Sequence, residues 1–294
     1  MKAPHPRGVP DPLHPEEAPK TSSLPAEVPE EQVKLFRDVL EALERSGVPY
    51  TVSGAFALRQ HTGICRQTKD LDLFVTAGNS AAALECLRQE GMECDVVDPV
   101  WLAKARRGDY FVDLITGMSN GLITVQDSWI ARSHAAVVYG VTTRVLAPEE
   151  LVASKIFVTR RERFDGADIA HVIYGTYGKF DWRRELELVG EHWEMLLWSL
   201  MLFRYVYPGQ SNYVPSEVWC ELLKRFERAV QNPDPDAKFR GSLVDDNMFA
   251  IDVNEWELPN LLAERREQRL AKASEASASA SSDVPRRKAK RKSA

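Results

Sequence analysis

The sequence lacks a long apolar run. Hydrophobic residues make up 44% of its 294 residues, but no stretch reaches the ~20 apolar residues that a membrane-spanning helix needs. The richest stretch, residues 195–206, is short and contains Arg204. Residues 1–29 also lack the apolar core of a secretion signal. We therefore expect neither a membrane protein nor a secreted one.

Cysteine is scarce, and its spacing is unlike that of a metal or disulfide framework. The chain has four cysteines and no C-x-x-C pair; they are Cys65, Cys86, Cys94 and Cys220. This pattern predicts neither structural zinc nor a set of disulfides. A reducing cytoplasm is the expected location.

The chain also lacks an excess of positive charge and two common catalytic motifs. It has 38 basic and 43 acidic residues, a net charge of −5, which argues against a protein that coats nucleic acid through its overall charge but leaves a local basic groove open. No G-x-x-x-x-G-K-[ST] sequence is present, which excludes a P-loop ATPase. No G-x-S-x-G sequence or Ser-His-Asp arrangement is evident either.

Composition divides the chain into four parts. Residues 1–29 are rich in proline and predict a disordered leader, and residues 263–294 predict the end of a helix followed by a disordered basic tail. Between them, residues 30–146 predict a small mixed sheet with helices, and residues 147–262 predict a helical domain. The expected fold class is therefore α/β of the α+β kind.

Periodicity and turn residues locate the elements of the two halves. Strands are expected at residues 49–53, 71–75 and 144–146, with a hairpin of residues 101–104 and 110–115. Helices are expected from about residue 33 to Gly47, then at residues 54–61, 79–90, 150–160, 166–174, 182–206, 215–230 and 256–271.

Two aspartates on one strand are the most informative feature. Asp70 and Asp72 alternate with Leu71 and Leu73, and residues two apart on a strand point to the same face. Two adjacent carboxylates repel each other, and a divalent cation with oxygen ligands, Mg²⁺ or Mn²⁺, relieves that repulsion. Asp113 lies in another apolar strand and supplies a third carboxylate, and three such groups can hold two cations about 4 Å apart.

A small-residue step precedes the acidic pair. Ser53 and Gly54 lie where a strand meets a helix, where small residues let the backbone approach a phosphate and the helix N–H groups point toward it. A tight turn without a ligand is the alternative interpretation of the step.

These residues resemble the signature of the DNA polymerase β nucleotidyltransferase superfamily. The Ser53-Gly54 step, Asp70-Leu-Asp72 and Asp113 match its motif. The Arg66-x-Thr68-x-Asp70-x-Asp72 sequence is similar to small bacterial members of the abortive-infection toxin and antibiotic-modifying types. One departure is Ser53, which stands where the family has a glycine; we expect its N–H and hydroxyl to contact a phosphate.

The resemblance implies a metal-dependent transferase that moves a nucleoside monophosphate from an NTP such as ATP to an acceptor hydroxyl. It implies catalytic and metal-binding roles for Asp70, Asp72 and Asp113, with Mg²⁺ or Mn²⁺ as cofactor. It further implies nucleotide-binding or supporting roles for other residues: Ser53, Gly54, Arg66 and Lys155 would contact the nucleotide, and Asp165 or Asp168 would support them. The acceptor stays open among RNA, a protein and a small molecule, and the toxin-type relatives leave an antitoxin partner open.

Several alternatives stand beside this interpretation. Lys155 could be a solvated lysine on a helix, and residues 160–165 could be an exposed ion-paired face. The isolated histidines and the aromatic residues between 193 and 207 are typical of core or surface positions, although the aromatic run could line a pocket between the two halves. The chain could also be a catalytically silent nucleotide-binding relative, or a nucleic-acid module that binds through its basic tail.

Overall fold

The computed structural model describes the backbone of residues 28–282 and the side chains of residues 28–272. The predicted leader up to residue 27 and the basic tail from residue 283 lie outside the described residues. Within them, a mixed sheet with its helices is followed by a helical region, which confirms the expected α/β class.

The N-terminal region consists of seven strands and the helices between them. The strands are β1 Thr51–Val52, β2 Asp70–Phe74, β3 Glu93–Asp98, β4 Leu102–Arg107, β5 Tyr110–Ile115, β6 His134–Val138 and β7 Val141–Val145. The helices are α1 Glu30–Ser46, α2 Gly54–Thr62, α3 Ala77–Gln89 and α4 Asp127–Arg132.

The sheet has the order β3-β4-β5-β2-β1-β7-β6. β2 is parallel to β5, and β1 is parallel to β7, while the other neighbours are antiparallel. α1 covers the sheet with one apolar face, including Phe36, Leu40 and Leu43. It ends as predicted at Gly47, whose φ of 70° lets its N–H bond to the Leu43 carbonyl.

The C-terminal region is helical apart from one short hairpin. Its helices are α5 Pro148–Lys155, α6 Gly166–Gly175, α7 Trp182–Val189, α8 Trp193–Val206, α9 Ser216–Gln231, α10 Gly241–Val244, α11 Ala250–Asn254 and α12 Leu261–Ser282. The hairpin consists of β8 Thr159–Arg160 and β9 Arg163–Phe164. No helix within residues 28–282 is both long enough and apolar enough to cross a bilayer.

Several predicted bounds were wrong. The helix expected at residues 150–160 ends at Lys155, because the chain turns into the β8–β9 hairpin. The helix expected at residues 182–206 is interrupted at Gly190, which has φ 49° and ψ −119°. α12 continues to Ser282, well beyond residue 271, in keeping with the helix propensity of its alanines. β3, β6 and α4 were missed.

Candidate active site

Three carboxylates meet on the two parallel strands β2 and β5. In the strand register Asp72 lies beside Asp113, and Asp70 precedes Asp72 by two positions on the same face. One carboxylate oxygen from each of the three lies within 4.8 Å of the others. Leu71 and Leu73 point the other way and are fully buried. The predicted meeting of the three acids is therefore present.

Burial and mutual repulsion make this cluster costly for the fold. Burial, together with the charges of Asp70 and Asp113, raises the pKa of Asp72 to about 7, against the opposing charges of Lys155 and Arg163. Burial also raises the pKa of Asp113, against the opposing effect of Lys104. The fold thus holds an anionic cluster that its own cations do not neutralise.

Lys104 is a neighbour of this cluster that the sequence interpretation missed. β4 and β5 form a hairpin in which Lys104 lies directly opposite Asp113. The Lys104 ammonium lies 2.7 Å from Asp113 Oδ1 and donates to Oδ2 at 3.0 Å. The tight turn after Arg107 pairs Arg107 with Tyr110 and so sets this register. Counting back from the turn residues could therefore have predicted that Lys104 lies opposite Asp113.

Gly54 lies directly against the Asp72 carboxylate. Its φ of 57° is in the left-handed region, and a Cβ on it would contact Asp72 Oδ2 and come within 2.8 Å of Cγ. Any larger residue would therefore displace the carboxylate or the start of α2. The Ser53-Gly54 step is therefore a close approach of the backbone to Asp72.

Ser53 departs from its predicted role in one respect. Its N–H donates to the Asp72 carbonyl at 2.8 Å, so this N–H belongs to the sheet and is not available to a phosphate. Ser53, Gly54 and Ala55 all line the cleft over the carboxylates. The N–H groups of the first helical turn have no partner within the helix and make its start an anion-binding end.

A second charged cluster also lines the cleft. The buried Lys155 ammonium lies 2.6 Å from Asp165 and 2.9 Å from Asp168. Arg66 pairs with Asp168, and Arg163 donates to Asp165 at 3.1 Å. The solvated-lysine interpretation of Lys155 is therefore wrong, because α5 places its end inside the cleft.

Asp165 remains ionised within this cluster. Burial alone would raise the pKa of Asp165, but the hydrogen bond from Arg163 and the charge of Lys155 outweigh burial and lower it. Residues 161–164 are exposed, as the alternative interpretation expected, but Asp165, the ion-pair partner of Arg163, is buried and lines the cleft.

The cleft between the two clusters has a volume of about 520 Å³, within the range of small-ligand sites. Part of the cleft lining is apolar. This part consists of residues from both regions of the chain: Trp101, Ile115, Met118, Phe157 and Leu243. Sequence reasoning missed these residues, which approach each other only in the folded chain.

For His61 and the aromatic residues between 193 and 207, the sequence predicts core or surface positions, with a pocket as the alternative for the aromatic run. His61 is buried and its Nε2 lies 2.7 Å from the Leu146 carbonyl, which fits the expected packed histidine. Of the aromatic run, Phe203 is in the core and Tyr205 is exposed. Neither Phe203 nor Tyr205 is among the described residues that line the cleft.

The chemistry of the three carboxylates fits a hard divalent cation. They offer only oxygen ligands, which Mg²⁺ and Mn²⁺ prefer. Their oxygens are already close together, and burial, followed by the charges of Asp70 and Asp113, raises the pKa of Asp72 at that point. Asp70, Asp72 and Asp113 are the residues that could hold such an ion.

A protein-family model described as "Nucleotidyl transferase of unknown function (DUF2204)" matches residues 32–195, which contain all three carboxylates and the second charged cluster. No curated protein matches the chain.

Solved structures show distant similarity. The antibiotic-resistance factor ANT(2″)-Ia is 15% identical, with 67% of this chain and 98% of that chain covered at a TM-score of 0.39. The lincosamide antibiotic adenylyltransferase LnuA is 16% identical, with 49% of this chain and 96% of that chain covered at a TM-score of 0.35. An antigenic nucleotidyltransferase-like protein from Paracoccidioides brasiliensis is 17% identical, with 64% of this chain and 94% of that chain covered at a TM-score of 0.39.

Proposed function

The chain belongs to the nucleotidyl transferase family of unknown function (DUF2204), and from this membership we propose that it transfers a nucleoside monophosphate from an NTP to an acceptor hydroxyl. The observation that carries the proposal is the in-register pairing of Asp72 with Asp113 on parallel strands, with Asp70 and Gly54 beside them. A structural role alone does not account for three acids held together at the cost of repulsion.

In the proposed reaction, the acceptor oxygen forms a bond to the α-phosphorus while the bond from that phosphorus to pyrophosphate breaks. Asp70, Asp72 and Asp113 would hold the divalent cations, Mg²⁺ or Mn²⁺. Bound there, these cations would offset the negative charge of the phosphates. Asp113 would also accept the proton of the acceptor hydroxyl, and pyrophosphate would leave with the electron pair of the broken bond.

The nucleotide would lie along the cleft. The start of α2, with the Ser53 hydroxyl and the Gly54 N–H, would hold the phosphates, since helix N-termini favour anions. Lys155 and Arg66 would contribute positive charge, and Asp165 and Asp168 would hold these two cations in place. The apolar side chains of Trp101 and Leu243 in the cleft lining are suited to contact a base. Positioning and charge neutralisation would supply most of the rate.

A labelling experiment tests the proposal. The purified chain is incubated with Mg²⁺ or Mn²⁺, each α-labelled NTP in turn, and a whole-cell extract as the source of acceptors. We expect label in one class of acceptor with the native chain and none with the Asp70→Ala/Asp72→Ala variant. Label transferred equally by the variant would contradict the proposal. NTP binding without any transfer would instead identify a catalytically silent nucleotide-binding protein.

A further inference from the structure

A second cavity lies beside the carboxylate cleft. It has a volume of about 390 Å³ and shares part of its wall with the cleft, namely Ala55 and residues 66–68. Thr68 in this shared wall hydrogen-bonds to the Asp70 carboxylate. The two cavities therefore adjoin at these shared residues, next to the carboxylates.

The lining of the second cavity combines flat aromatic side chains with cations. Phe56, Tyr110 and Tyr139 supply the rings, and the Phe56 and Tyr139 ring centroids are 5.4 Å apart. Arg59 and Lys69 supply positive charge, while Arg66 lines the cavity but pairs with Asp168 of the cleft. None of the described lining residues is acidic. Aromatic rings with arginine and lysine form the surface to which bases stack and phosphates bind in single-stranded nucleic acid complexes.

The carboxylate cleft differs from the second cavity because it contains acids. It is lined by five aspartates, Asp70, Asp72, Asp113, Asp165 and Asp168, together with the cations Arg66, Lys155, Arg160 and Arg163. A polycationic acceptor such as an aminoglycoside would be drawn toward acids and repelled by the cations of the second cavity. The charge of the second cavity selects an anionic molecule instead.

We propose that the second cavity binds the acceptor, and that the acceptor is a nucleotide unit whose base packs among Phe56, Tyr110 and Tyr139 and whose phosphate contacts Arg59 and Lys69. The identity of this molecule as the acceptor rests on the proposed transfer function. Its hydroxyl would take the nucleoside monophosphate, as described above. The nucleotide unit is either a free mononucleotide or the end of an RNA chain, and the cavity volume accommodates one such unit.

Binding is measured on the full chain in EDTA without NTP, so that the result does not depend on catalysis. The probe is a fluorescent five-nucleotide RNA, followed by anisotropy, with a mononucleotide, an uncharged nucleoside and tobramycin as competitors. The test variant is Arg59→Glu/Lys69→Glu. The control is Lys179→Glu/Arg183→Glu, which makes the same change in net charge at two exposed residues outside both cavities.

We expect the test variant to lose about tenfold or more in RNA affinity and the control to keep it, with the slope of log affinity against log salt reduced by about two in the test variant. Competition by the mononucleotide at similar concentration supports a free nucleotide, and competition by RNA alone supports a chain end. Equal loss in both variants, no loss in the test variant, or stronger competition by tobramycin than by the nucleotides would overturn the proposal. If this binding pattern holds but no NTP is ever transferred, the transfer function fails while the nucleotide cavity stands.

Discussion

At the scale of single residues, Gly54 has no room for a side chain. A Cβ there would contact the Asp72 carboxylate, and an overpacked position costs about 1–3 kcal/mol. We expect Gly54→Ala to lower the free energy of unfolding in urea by that amount. Because the carboxylate would move, we also expect nucleotide transfer to fall by about 100-fold or more.

Gly47→Ala is the matched control for this variant. Gly47 also has a positive φ, 70°, but a Cβ on it would meet nothing within 4 Å. It should cost only the backbone strain, about 1 kcal/mol, and leave transfer unchanged. Equal transfer by the two variants would show that the close approach of Gly54 to Asp72 has no functional consequence.

His61 is expected to make the free energy of unfolding depend on pH between about 4 and 6.5. Burial lowers the pKa of His61 from 6.5 to about 4, against the opposing effect of the hydrogen bond that its ring donates to the Leu146 carbonyl. The unfolded chain therefore takes up this proton first as the pH falls from 6.5 to 4, and folding loses about 3 kcal/mol over that window. We expect His61→Gln to lack this loss.

The measurement for His61 is the difference in unfolding free energy between the native and variant chains at pH 7 and at pH 4. Taking the difference removes the contributions of the other acids and bases. A difference that does not change with pH would show that His61 is not held neutral in the folded chain.

At the scale of elements, α5 connects the helical region to the site through Lys155. The buried ammonium lies between Asp165 before α6 and Asp168 within it. Removing one partner of a buried ion pair leaves an uncompensated charge, which costs about 3–5 kcal/mol. We expect Lys155→Met to lose stability of this order at pH 7.

This loss should shrink in acid. Asp165 has a pKa below its ordinary value of 3.8, so its share of the stability is present above that pH and is lost as the pH falls through its folded pKa. Chemical unfolding at pH 7 and pH 3 checks this, with Lys155→Arg as the variant that keeps the charge. A change under about 0.5 kcal/mol at pH 7 would match an exposed lysine instead.

The elements differ in how well the sequence predicted them. β2 and β5 were predictable because their apolar residues are buried and alternate with the clustered carboxylates. β3 and β6 are edge strands, and β3 has mostly exposed side chains, so they show no clear alternation. The end of α5 was missed because the β8–β9 hairpin, and not a helix-breaking residue, ends the helix.

At the scale of the whole molecule, α12 returns to the N-terminal sheet. Arg266 donates to Asp98 at 2.9 and 3.1 Å and to the Ser119 carbonyl at 3.1 Å. Ser119 and Met118 also line the carboxylate cleft. The last helix of the described chain thereby supports one wall of the site.

Hydrogen exchange can test this support. We expect Arg266→Ala to increase amide exchange in residues 116–124 by about tenfold, since the loss of a charged hydrogen bond costs about 1.5–3 kcal/mol. Gln268→Ala, at an exposed position of the same helix, should leave exchange unchanged. Equal exchange in both variants would assign the α12 contact no role in holding that loop.

Long-range contacts of this kind set the limit of what the sequence could predict. The site carboxylates lie within 44 residues of each other and share a motif, whereas Leu243 and Arg266 reach the same cleft wall from the far end of the chain. The division into residues 30–146 and 147–262 stays a prediction, because α2 of the first part packs against α5 and α6 of the second.

The most direct test of the central claim, that Asp70, Asp72 and Asp113 are held together for a divalent cation, is thermal unfolding of the native chain and of Asp72→Asn, each in EDTA and in saturating Mn²⁺. Without metal, Asp72→Asn should melt at the same temperature or higher, because it removes repulsion. Mn²⁺ should raise the Tm of the native chain and leave that of the variant nearly unchanged. A native Tm that does not respond to Mn²⁺, or a variant that is destabilised in EDTA, would contradict the claim.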